Sequence, residues 1–70
     1  MAKITPLDRL FITVSQNGIT RFISELTGVT SFRDIVNYTR EMAPGIIGMT
    51  TISVRNSTEG WHTRESIILR

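Results

Sequence analysis

His62 is the only histidine in this 70-residue sequence, and the chain has no cysteine. Acyl-transfer chemistry needs a nucleophile held by a base, and a metal centre needs several convergent ligands. The carboxylate nearest to His62 is Glu65, three residues on. In a strand that odd offset sends the two side chains to opposite faces. No pair of carboxylates is spaced as a general acid and base, and the serines and threonines fall in strand-like and turn-like stretches. The expectation is a protein that is not an enzyme and that uses no metal and no cofactor.

Contacts to phosphate or to an acidic partner are the chemistry that the residue types do allow. Arg33, Asn37 and Arg40 recur at helical spacing, and Arg55, His62 and Arg64 fall on one side of a C-terminal hairpin. The same residues equally suit the solvated side of an amphipathic helix and of an antiparallel sheet. Eight Lys and Arg against six Asp and Glu give a net charge of +2, with the two signs interspersed along the sequence from Lys3 to Arg70. A nucleic-acid footprint is usually a clustered stripe, so charge alone decides nothing. The segment Gly45-Ile46-Ile47-Gly48 matches the Gly-x-x-Gly pattern of KH-type RNA-binding loops. That loop joins two helices, whereas here a strand is expected next, so the segment is read as a chance match or a hinge.

One helix and two hairpins must position these groups. Ser31 suits an N-cap, Asp34 the first turn, and Phe32, Ile35, Val36, Thr39 and Met42 or Ala43 form an apolar stripe that ends at Pro44-Gly45. The spacing predicts a helix from about Phe32 to Ala43. Leu10 to Val14 and Ile19 to Leu26 are β-branched runs on either side of Asn17-Gly18, a hairpin signal. A two-residue turn would place Arg21 and Glu25 on the face of Leu10, Ile12 and Val14. A three-residue loop Gln16-Asn17-Gly18 instead groups Leu10, Ile12, Val14, Phe22 and Leu26, with Phe11 opposite Ile23. Phe11, Ile19 and Ile23 are then left on the other face as an apolar patch, which serves as a dimer or partner surface or is partly covered by the N-terminal arm. A four-residue loop Ser57-Thr58-Glu59-Gly60 sets Asn56 opposite Trp61 in the second hairpin. Trp61 is there a hairpin anchor or an interface hot spot.

The leading fold is therefore α+β, a ββαββ unit with an antiparallel sheet and one central helix. An alternative reading makes three helices followed by one hairpin. Thr5-Pro6-Leu7-Asp8 has the look of a helix start, Leu7, Leu10, Phe11 and Val14 recur at helical spacing, and Ile19, Phe22, Ile23 and Leu26 do the same before Gly28. On it, Ile23 to Val29 followed by Ser31 to Tyr38 resembles the helix-turn-helix of winged DNA-binding regulators. The likeness covers about 20 residues. It departs where Asp34 and Asn37 occupy positions that are usually apolar. The resemblance implies DNA contacts from Arg33, Asn37 and Arg40 on a recognition helix and from Arg55 and Arg64 on the wing.

Length and composition allow one domain, residues 1–70, without repeats or linkers. Such a chain buries only about 60% of its unfolded surface. With no disulfide to staple it, association with a second chain is the remaining support. No apolar run approaches the length of a membrane span, and Met1 to Arg9 lacks the apolar core of a signal peptide, so the expected setting is the cytoplasm. The leading function is a small non-enzymatic binding protein, an adaptor or inhibitor, acting as a homo-oligomer on an unidentified protein or ligand. A winged-helix DNA regulator is the alternative.

Overall fold

The computed structural model describes residues 4–70, so Lys3 and the start of the Met1 to Arg9 segment lie outside the described residues. In chain order the elements are β1 (Leu10–Gln16), β2 (Ile19–Leu26), α1 (Phe32–Met42), β3 (Gly48–Asn56) and β4 (Trp61–Leu69). All strands are antiparallel in one sheet, in the order β2-β1-β3-β4. This is the ββαββ architecture. The three-helix alternative is not supported: residues 10–26 form a hairpin, and the helix-turn-helix expected over Ile23–Tyr38 is absent because its first helix is strand β2.

Local chemistry explains each element. Ser31 holds an extended backbone and its Oγ accepts from the Asp34 amide, while the Asp34 carboxylate accepts in return from the backbone and hydroxyl of Thr30. These bonds satisfy amides that the first helical turn leaves unpaired. The helix closes at Ala43, whose amide donates to the Thr39 carbonyl at 2.9 Å. Ala43 packs against the core and Met42 faces solvent, which settles the end of the apolar stripe. Asn56 stands opposite Trp61 as expected. Its Oδ1 accepts from the Thr58 and Glu59 amides, and Gly60 takes the positive φ that closes the turn.

The first hairpin departs from the expected register. Its turn has two residues, Asn17 and Gly18, both at positive φ, and Gln16 pairs with Ile19. The charge conflict that argued against this turn is relieved one step later by a bulge: Ser15 pairs with Thr20, Val14 with Phe22, and Arg21 is left over. The extra residue restores the burial of Leu10, Ile12 and Val14. Phe11 consequently faces Glu25, and Ile23 faces Thr13. Because Gly18 sits at φ 77°, Gly18→Val should cost about 1–2 kcal/mol, the usual penalty for a side chain in left-handed backbone. Urea unfolding monitored by circular dichroism measures it, and a change below a few tenths would show that the turn relaxes.

Leu10, Ile12, Val14, Ile52, Val54 and Leu69 point to one face of the sheet, where α1 buries Ile35 and Thr39 against them. Val29 and Ile46 close the two ends of the helix connections. Tyr38 reaches β2, with its hydroxyl 2.5 Å from Ser24 Oγ and its ring 6.2 Å from that of Phe22. The segment before β1 is tied to one end of the sheet: the Gly28 amide donates to the Pro6 carbonyl and the Ser57 amide to the Arg9 carbonyl, both at 3.0 Å. Among the described residues, the sheet face away from α1 is covered by no other element.

Candidate functional site

That open face is built by strand parity. Residues of odd number on β1 and β3, and of even number on β4, point away from α1, so the ladder arranges them in rows. One row runs Glu25, Phe11, Arg55, His62, and the next runs Ile23, Thr13, Ser53, Arg64. A third brings Ser15, Thr51 and Ser66 together, with Thr51 Oγ1 and Ser66 Oγ 3.4 Å apart. Met49 and Ile68 pair at the far corner. The first two rows enclose a shallow groove of about 400 Å³ lined by Phe11, Ile23, Arg55, His62 and Arg64.

Phe11 lies on a central strand and is 40% exposed; Ile23, on the edge strand beside it, is 68% exposed. Ile19, the third residue expected in the apolar patch, and Trp61, the other candidate interface residue, lie elsewhere. Ile19 pairs with Gln16, whose amide reaches the Ile47 carbonyl and buried Thr50, so the two-residue turn sets Ile19 on the helix side. Trp61 faces Asn56 and packs against the core, the place of a hairpin anchor. Among the described residues, no part of the N-terminal segment lines the groove beside Phe11 and Ile23.

The expected cationic residues divide into two sets on opposite sides of the molecule. Arg55, His62 and Arg64 share the open face, while Arg33, Asn37 and Arg40 are exposed on α1, on the far side of the sheet. They do not converge on one ligand. Glu65 faces Ile52 on the helix side and so stands apart from His62, as strand parity requires. Among the described residues, no three His, Asp or Glu side chains gather as metal ligands. The segment Gly45–Gly48 links α1 to β3 and buries Ile46, which makes it a connector between a helix and a strand.

A feature not anticipated in the sequence is the pair Asp8 and Asn56, 48 residues apart. Asn56 Nδ2 donates to Asp8 Oδ2 at 2.9 Å, and the Thr5 amide donates to the same oxygen at 3.0 Å. Both side chains are buried. The Thr5 amide first, and then the Asn56 amide, hold the Asp8 carboxyl below its ordinary pKa. Thr5-Pro6-Leu7-Asp8 is thus a closed turn and not a helix start. Its role is to fasten the entry of β1 to the β3–β4 turn.

No protein-family model, curated protein or solved structure matches the chain. Among the described residues, no helix is long and apolar enough to cross a membrane.

Proposed function

We propose that this chain is a non-enzymatic binding module, of adaptor or inhibitor type, that acts by occupying a partner with the open face of its sheet. The observation that carries this reading is the groove of Phe11, Ile23, Arg55, His62 and Arg64 on a face that no described element covers. Exposed aromatic and apolar side chains beside arginine are the residue types that anchor interfaces. A cytoplasmic setting accords with a chain that has no cysteine.

Self-association is a second reading. Ile47, Met49 and Ile68 are each more than half exposed at the corner diagonal to Phe11, next to the free edge of β4. A second copy seated there would add apolar burial to a domain with a small core.

Capture of partners from the native host tests the main reading. The unaltered chain and an Arg33→Ala/Arg40→Ala variant should retain the same partner, and Phe11→Asp should lose it. The opposite pattern would place the contact on α1. Sedimentation of the same proteins tests self-association: Ile68→Asp should give monomers, and an unchanged profile rejects that corner as a seam.

A further inference from the structure

Resting on the reading of the open face as the binding surface, we infer that its partner is single-stranded nucleic acid. The first support is segregation of charge. Of the six acidic residues, only Glu25 lies on this face, and it stands 4.0 Å from the Arg9 guanidinium. Asp8 is buried, Asp34 and Glu41 belong to α1, Glu59 to the β3–β4 turn, and Glu65 to the helix-side face. Arg55 and Arg64 remain as exposed cations on adjacent strands with no acid across the ladder from either. Charges interspersed in sequence are therefore sorted by the pleat, and the open face is cationic.

The second support is Phe11, an accessible ring directly across the ladder from Arg55. Aromatic rings set among cations bind single strands by stacking a base while the cations meet phosphates. Hydroxyls of Thr13 and Ser53 in the next row can donate to the backbone. An acidic protein segment would satisfy the arginines and leave the ring without a stacking partner. A second copy of this chain laid face to face would bring cation against cation.

Breadth argues against a duplex. Three strand spacings of about 4.8 Å make the platform about 14 Å wide before side chains are added. A major groove is roughly 12 Å wide, and nothing on this face projects to enter it. A splayed single strand lies flat on such a surface.

Fluorescence anisotropy with a labelled oligothymidylate of about 8 nucleotides tests the inference, since such lengths fit single-strand sites. Two or three neutralised phosphates should give a slope of about −1.4 to −2 for log affinity against log salt. Phe11→Ala should weaken binding about tenfold, within the range for one stacked base. Arg64→Ala should reduce the slope by about 0.7. The Arg33→Ala/Arg40→Ala variant should bind unchanged, and far-UV circular dichroism should show every variant folded. The inference is overturned by absence of binding at low salt, by equal affinity for a duplex, by indifference to Phe11→Ala, or by equal competition from polyglutamate. If the oligonucleotide fails while Phe11→Asp still abolishes capture of a host protein, the nucleic-acid inference falls and the binding-module reading stands. If Phe11→Asp affects neither, both fall.

Discussion

Ile35→Ala should cost about 2–5 kcal/mol, a large share of the stability of a chain of this length. Ile35 is the one apolar side chain that α1 buries completely, so it is the main bond between the helix and the sheet. The other helix contacts, Phe32, Val36 and Ala43, are only partly buried. Thr39, one turn on, is buried too, but it gives its hydroxyl to the Ile35 carbonyl at 2.9 Å and offers only a methyl group to the core. Truncating a buried isoleucine costs about 2–5 kcal/mol. At about 0.05–0.15 kcal/mol per residue, a domain of this length has about 3.5–10 kcal/mol in total. Met42→Ala, at an exposed position on the same helix, should change stability by less than about 0.5 kcal/mol. Urea denaturation of both variants measures the contrast. A loss below about 1 kcal/mol for Ile35→Ala would mean that the sheet is stable without its helix.

Asn56→Asp should invert the response of stability to pH. In the parent protein the carboxyls of Asp8 and Asp34 both titrate below their ordinary range, held there first by the Thr5 and Thr30 amides respectively. A folded pKa below the unfolded one gives stability that is present above about pH 4 and is lost as pH falls through the folded value. The substitution sets a second carboxylate where an amide had donated to Asp8 Oδ2 at 2.9 Å. Two carboxylates at that separation share one proton, and the pair titrates above the unfolded range. Stability is then present at low pH, where the proton rebuilds the hydrogen bond, and is lost as pH rises through the raised value. Thermal midpoints at about pH 7 and about pH 4.5 distinguish the two, because both values lie above the unfolded carboxylate pKa of about 3.9. The parent should be nearly constant between them, whereas the variant should melt lower at the neutral value and recover at the acid one. A parallel profile in both proteins would show that the Asp8–Asn56 contact opens in solution.

Local chemistry made much of this fold legible. The Ser31 cap, the stop at Pro44-Gly45 and the Asn56–Trp61 register are all set by residues within a few positions of one another. Parity of the hydrophobic pattern also gave the correct face to Leu10, Ile12, Val14, Phe22 and Leu26. The first hairpin reached those faces by another route. A three-residue loop and a two-residue turn with a bulge give the same parity, so burial could not tell them apart. The difference moved Ile19 off the open face and set Phe11 across from Glu25. The Asp8–Asn56 contact was hidden because it joins residues 48 apart through the pairing of β1 with β3, which no local pattern specifies. The candidate site was legible as separate pieces, Phe11 and Ile23 in one hairpin and Arg55, His62 and Arg64 in the other. That same β1–β3 pairing brings them into adjacent rows.

Backbone amide shifts during titration with oligothymidylate test the open face most directly, because they report where the ligand sits residue by residue. The largest changes should fall on Phe11, Thr13, Arg55, His62 and Arg64, with Arg33, Asn37 and Arg40 undisturbed. Changes concentrated on α1, with the strand residues silent, would contradict the account.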